Sequence, residues 1–198
     1  MPRPNVGRHN AFPLKKQGEG DDCCGLYCLL SAAASFRDSN KDITLKDVFD
    51  KLPSSYRTRL AKQLLFSGGV VPPRLRALAE AMNLELRHLS QGSIDNIGRN
   101  YQSWLDGNSI WMVLVLMRFT EKAAAGHSVV PRTVDENGAD LHYVLVLEAT
   151  DSYVVLADPH PWHKDIYSLR MQHFKSVWGM ASQQRQKPPW AGCLTSRV

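Results

Sequence analysis

From Asp22 the chain reads Cys23-Cys24-Gly25-Leu26-Tyr27-Cys28-Leu29-Leu30 and continues through Ser31-Ala32-Ala33-Ala34-Ser35-Phe36. The run is strongly helical and apolar nearly all round. A helix without a polar face must be buried at the centre of a domain, so the rest of the chain has to supply its walls. With 198 residues, of which 43% are apolar and 22% charged, the chain suits one soluble globular domain, with or without tails. No stretch approaches the roughly 20 apolar residues that span a bilayer. The longest, Ile110 to Met117, is strand-sized. Residues Met1 to Arg8 carry positive charge with no apolar stretch behind it, so no secretory signal is expected.

The walls are legible in outline. Residues 1–16 are rich in Pro, Gly, Asn and basic side chains and read as an extended basic segment. A suitable N-cap for the central helix is Asp21 or Asp22. Leu45, Val48, Phe49 and Leu52 recur at helical spacing after Thr44 and before Pro53, residues 55–65 are a further helical candidate, and Gly68-Gly69 is a break. Pro72-Pro73 opens a helix with Leu75, Leu78, Ala79 and Met82 on one face. Strands follow: residues 84–89 alternate, and Ile110 to Phe119 is a β-rich apolar run of central-strand type. Residues 94–105 read as helix and 121–140 as a long loop. His142 to Thr150, a turn at Asp151-Ser152, and Tyr153 to Pro159 form a hairpin. Residues 168–178 read as a final helix or a mix of helix and strand. Helices first and antiparallel strands second define an α+β fold, with the domain spanning 17–182 and a C-terminal tail over 183–198.

Charge excludes one class of partner. The formal charge of +5 arises from 24 basic and 19 acidic residues. Arg3, Arg8, Lys15 and Lys16 at one end and Arg185, Lys187 and Arg197 at the other hold seven of those bases and no acid, leaving the body at −2. A nucleic-acid protein gathers its bases on a folded face, so nucleic-acid binding is not expected. The cysteines 23, 24, 28 and 193 are too crowded for a disulfide framework, which points to a reducing compartment. They also lack a Cys-x-x-Cys pair and a neighbouring His, so neither a metal nor a cofactor is expected.

The chemistry lies in a long-range constellation. A thiol is a good nucleophile only as its thiolate, and unpaired N–H groups at a helix N-terminus favour that anion; Cys24 is placed for this. His142 opens one strand of the hairpin and Asp158 closes the next, sixteen residues on, so the turn returns them to one edge of the sheet. An imidazole beside the sulfur would hold the thiolate and protonate a leaving group, and an adjacent carboxylate would fix its tautomer. Gln17, seven residues before Cys24, is close enough to donate to an oxyanion with the backbone N–H of the cysteine. Asp21 and Asp22 would oppose ionisation of the sulfur if they pointed at it.

These residues resemble the papain-like cysteine peptidase superfamily. The segments Gln17 to Leu29, His142-Tyr143-Val144-Leu145-Val146 and Val154-Val155-Leu156-Ala157-Asp158-Pro159 look most like the double-glycine bacteriocin-processing peptidases and related bacterial effector proteases. The resemblance implies a papain-like fold with the Cys-bearing helix packed on an antiparallel sheet. It also implies Cys24 as nucleophile, His142 as base, Asp158 as orienting acid and Gln17 as oxyanion donor. That family spaces its Gln six positions before its Cys, which falls on Cys23; the Cys-Gly-x-x-small-Leu helix pattern falls on Cys24. The segment Cys24 to Leu29 is also similar to the opening of josephin-type deubiquitinases.

The expected function is thiol-dependent hydrolysis of peptide bonds in a protein or peptide substrate. The alternatives are an isopeptidase or deubiquitinase, a glutamine deamidase, and a non-catalytic papain-like module that binds a peptide. The expected location is the cytoplasm or, for an effector, delivery into a target cell. In this reading Cys28 is a small core hydrophobe, Cys193 a bystander, His160 and His163 are rim residues and the alternative bases, and Trp162 and Trp178 pack in the core or at the rim. His127 would line the cleft mouth.

Overall fold

A computed structural model describes residues 5–18, 23–36, 43–58, 72–88, 104–105, 109–116, 141–161, 163–185 and 190–197. Asp21, Asp22, Gly68-Gly69, nearly all of the 94–105 segment, the 121–140 segment with His127, and Trp162 lie outside those residues.

The apolar run forms α1 (Cys24–Ser35), buried along most of its length. It is followed by α2 (Leu45–Lys51), opened by a capping box between Thr44 and Asp47, and α3 (Pro72–Ala81). Residues 54–58 are also helical. The strands are β1 (Leu84–His88), β2 (Ser109–Leu116), β3 (Leu141–Ala149), β4 (Tyr153–Ala157) and β5 (Ile166–Arg170); α4 (Met171–Arg185) and β6 (Ala191–Ser196) complete the chain. The six strands make one antiparallel sheet in the order β1-β6-β2-β3-β4-β5.

Strand alternation explains the layering. Ile110, Met112 and Leu114 of β2, with Tyr143, Leu145 and Leu147 of β3, pack into one core with α1, α2 and α3. Trp111, Val113, Val115, Val144 and Val146 point the other way, into a second core with Phe174, Val177 and Trp178 of α4. Both faces of the sheet are covered. Strands buried on both faces need no polar residue at alternate positions, so β2 and β3 read as nearly continuous apolar runs.

Two expectations are corrected. Residues 191–196, expected within a tail, form β6 between β1 and β2, pairing with both. The strand escapes notice because it is built from small residues behind a Gln/Pro run. Its smallness has a cause: a Cβ on Gly192 would lie 2.5 Å from Leu86 Cδ1 and 3.2 Å from Trp190 Cη2. Trp190 is tied to α4 by the indole N–H of Trp178, which donates to its carbonyl at 3.0 Å.

At the other end, residues 5–18 are no free extended arm. Val6–His9 form a 3-10 turn, Phe12 is buried, and the segment runs as a strap along the domain. Arg8 pairs with Glu148 at 2.7 Å and Lys16 with Asp165 at 3.0 Å. The basic charge of this segment is partly spent on internal contacts.

Candidate active site

The first residue of α1 is Cys24, and its N-cap is Cys23 rather than an aspartate; the Cys23 side chain does not cap the helix. The first turn closes through Leu26 N–H and Tyr27 N–H, donating to Cys23 O at 2.8 and 3.1 Å. Gly25 lets the helix approach the sheet: a Cβ there would lie 3.0 Å from both Leu75 Cδ2 and Tyr143 Cδ2.

The sheet meets this helix end where β4 leaves β3. Their last pair is Leu145 with Ala157, after which Asp158-Pro159 departs from the ladder. Past that point two sulfurs of α1 serve the Tyr143 peptide. The Tyr143 N–H donates to Cys24 Sγ at 3.4 Å, and the Cys28 thiol donates to Tyr143 O at 3.4 Å. Burial, reinforced by the negative charges of Cys24 and Asp158, pushes the Cys28 thiol well above its ordinary value, which keeps it a donor. Cys28 is thus a core residue, as expected, with a hydrogen bond in addition.

His142 Nε2 donates to Asp158 Oδ1 at 2.6 Å, with both side chains almost fully buried. The ring of His142 is also a hydrogen-bonding neighbour of Cys24, and with Nε2 engaged, Nδ1 is the nitrogen left for the sulfur. Burial alone would lower the pKa of His142. The opposing charges of Cys24 and Asp158 and the hydrogen bonds to them outweigh burial and raise it from 6.5 to about 10. Burial likewise works against the Asp158 carboxylate, yet the charge and hydrogen bonds of His142 and His163 hold it well below the usual carboxylate range.

Asp158 accepts three more hydrogen bonds. The His160 backbone N–H reaches Oδ1 at 2.9 Å, and Oδ2 takes His163 Nδ1–H at 2.8 Å and the Tyr167 hydroxyl at 3.0 Å. The rings of His160 and His163 lie 4.1 Å apart, each edge-on to His142 at 5.7 and 5.9 Å. Both were expected at the rim. Instead His160 is buried and the His163 side chain is 5% exposed, packed behind Asp158. Tyr167 carries no sequence signal. His163 had one, because a second histidine follows the Asp-Pro closely enough to turn back onto it.

Ligand atoms of His142, Asp158 and His163 all lie within 4.8 Å of one another, a grouping that can be weighed as a metal site. Each imidazole donates to a different oxygen of the one carboxylate, at 2.6 and 2.8 Å. Protons account for the arrangement.

Gln17 completes the surroundings. It is buried, its N–H donates to Pro159 O at 2.9 Å, and its side-chain Oε1 has no hydrogen-bond partner among the described residues.

No known protein-family pattern and no curated protein sequence matches the chain. Solved structures do. The peptidase domain of Streptococcus ComA, a bifunctional ABC transporter involved in a quorum-sensing pathway, is 14% identical, with a TM-score of 0.51 over 93% of this chain and 98% of that one. A C39-like peptidase structure from Bacillus anthracis is also 14% identical, with a TM-score of 0.57 over 95% of this chain and 96% of that one. The fold is therefore the papain-like fold of C39-like peptidase domains, as the sequence resemblance implied. Among the described residues, no helix is long and apolar enough to cross a membrane.

Proposed function

We propose that this chain is a cysteine peptidase with Cys24 as nucleophile, His142 as acid and base, Asp158 as orienting carboxylate and Gln17 as oxyanion donor. The observation that carries the reading is His142 held between Asp158, at 2.6 Å, and Cys24. The fold of C39-like peptidase domains supports the same class. In this mechanism the Cys24 thiolate attacks the substrate carbonyl carbon. The backbone N–H of Cys24 and the Gln17 amide stabilise the resulting oxyanion. Collapse of the tetrahedral intermediate breaks the C–N bond, and the His142 imidazolium gives its proton to the departing amine. His142 then takes a proton from water, which attacks the thioester and releases the acid with regeneration of Cys24.

Asp158 keeps the Nε2 proton of His142 in place throughout. The catalytic unit in this reading includes the strap from Asn5 and extends through β6. The substrate is a peptide bond in a protein or peptide, and the resemblance of the Cys, His and Asp-Pro segments makes peptides with a Gly-Gly pair the first to test.

The test is alkylation followed by cleavage. Iodoacetamide should modify Cys24 rapidly at neutral pH, as read by peptide mass spectrometry, with His142→Ala slowing it strongly. A Gly-Gly peptide library should be cut by the wild type and not by Cys24→Ala. Equal alkylation of Cys24 in wild type and His142→Ala, with no cleavage by either, would sink the proposal and favour a peptide-binding module. Fast alkylation at Cys23 instead would move the nucleophile by one residue.

A further inference from the structure

Three consecutive strap residues touch both halves of the site. Lys15 N–H donates to Ser31 Oγ of α1 at 2.9 Å, and Ser31 in turn donates to Tyr27 O at 2.7 Å. Gln17 N–H donates to Pro159 O at 2.9 Å. Between them, the Lys16 ammonium donates to three main-chain carbonyls, Asp158 O at 3.2 Å, His160 O at 2.7 Å and His163 O at 3.0 Å, and pairs with the Asp165 carboxylate at 3.0 Å. An ammonium has three protons, and this one commits them all to a single loop. The carbonyl dipoles of residues 158, 160 and 163 converge on it; without a cation at their focus they would repel one another. The same loop gives Asp158 the N–H of His160 and the imidazole of His163.

We propose that Lys16 is a positioning residue. It folds the 158–165 loop around its charge, fixes the Asp158 carboxylate against His142, and sets Gln17, its neighbour, in the same frame. The proposal rests on the peptidase reading above. Lys16 touches no reacting atom, so its effect falls on geometry. Small misplacements of groups that must align can lower rates by up to about a hundredfold.

The test compares wild type, Lys16→Met and Lys16→Gln with two readouts. One is kcat and KM on a peptide that the wild type cuts. The other needs no substrate: the low-field proton resonance of the His142 Nε2–H bonded to Asp158. Lys16→Met is expected to lower kcat by about ten- to a hundredfold at nearly unchanged KM and to shift or broaden the low-field resonance away. Lys16→Gln, which keeps donors but not the charge, should fall between Met and wild type in both readouts. If the Met variant does not fold, the Gln variant decides, and wild-type kcat with an unchanged resonance there overturns the proposal. A lower Tm with unchanged kcat per folded molecule also overturns it, because Lys16 would then only stabilise. If the wild type cuts no peptide, the peptidase reading fails, and the resonance alone still judges Lys16.

Discussion

Asp158 and Glu148 are both buried carboxylates, and their surroundings are nearly parallel. Each accepts from an imidazole, His142 at 2.6 Å in one case and His9 at 2.7 Å in the other. Each also accepts from a tyrosine hydroxyl, Tyr167 at 3.0 Å and Tyr153 at 2.9 Å. The difference lies in the second ring nitrogen. Trp104 Nε1–H donates to His9 Nδ1 at 3.0 Å. An indole can only donate, so His9 must carry its proton on Nε2, facing Glu148, and both nitrogens are spent. Arg8 closes the site from the other side, with Nη2 at 2.7 Å from Oε1 and Nε at 3.1 Å from Oε2. Burial alone would raise the pKa of Glu148, but the hydrogen bonds from His9, Tyr153 and Arg8 lower it. At His142 the second nitrogen meets a sulfur. A histidine–carboxylate pair therefore says little by itself: the group on the far nitrogen separates a latch for the strap from a group able to move a proton.

The sharpest way to break this comparison is to neutralise each carboxylate. Asp158→Asn should lower kcat/KM by about 10² to 10⁴, because the amide no longer fixes the His142 tautomer. Glu148→Gln should leave kcat close to wild type and lower stability by about 1–3 kcal/mol, as a buried charged acceptor loses strength toward Arg8 and His9. Steady-state kinetics and thermal melts on the two variants give the answer. Equal kinetic losses in both would abolish the distinction.

The pH profile sharpens it further. His142 stands at about 10, above its ordinary 6.5, so its charged form stabilises the folded site fully below about pH 6.5 and that contribution fades as pH rises through about 10. Asp158 has the opposite sign: its lowered value adds stability above the usual carboxylate range, lost only in strong acid. The imidazolium is the proton donor in acylation, so kcat/KM should fall on the alkaline side near pH 10. Asp158→Asn removes one of the charges that raise His142, and should bring the alkaline limb to lower pH. Glu148→Gln should leave that limb where it is.

Geometry offers a smaller lever. Gly25→Ala places a methyl 3.0 Å from Leu75 Cδ2 and Tyr143 Cδ2, so α1 or its neighbours must yield by a few tenths of an ångström. Cys24 is the adjacent residue, and about a tenfold loss in kcat is expected. Gly192→Ala is the contrasting change. Its methyl meets Leu86 and Trp190 on a strand two places from His142 in the sheet, and overpacking there should cost about 1–3 kcal/mol of stability with a smaller loss in kcat than Gly25→Ala. A silent Gly25→Ala would mean that the close approach of α1 to Tyr143 does not set the position of the sulfur.

The two carboxylates also mark how far the sequence could be read. Asp158 was legible because His142 lies in the same hairpin, and a strand–turn–strand unit returns the two to one place by local rules. The buried run after Cys23 likewise announced α1. Glu148 was not legible. Its partners Arg8 and His9 lie 140 and 139 positions away along the chain, and nothing in a Pro- and Arg-rich opening distinguishes a docked strap from a free arm. Lys16 reads only as part of a basic segment for the same reason, since its acceptors are main-chain carbonyls that have no sequence signature. β6 was hidden by the small residues that its neighbours require. Tertiary contacts made by backbone atoms, or by side chains reaching over long separations, leave no periodicity to read.

The smallest expected effect isolates the seal on the latch. Trp104→Phe keeps an aromatic ring beside Phe12, whose present edge-on contact has centroids 5.1 Å apart, and removes only the donor to His9 Nδ1. The buried imidazole then loses one partner and keeps Glu148, a deficit of about 1 kcal/mol, which for a domain of this size lowers Tm by roughly 2–4 °C. The loss should also be non-additive with Glu148→Gln, because Trp104, His9 and Glu148 form one chain of hydrogen bonds and the second break finds the network already opened. Activity per folded molecule should not change, because no part of this network touches Cys24 or His142. A double-mutant cycle by thermal or denaturant melts, with kcat measured on the same samples, reads both outcomes. Strict additivity would mean that His9 is packed in place by its apolar neighbours rather than held by the network. A fall in kcat would mean that the far end of the strap reaches the site through Lys16 and Gln17, and that the two carboxylates are coupled.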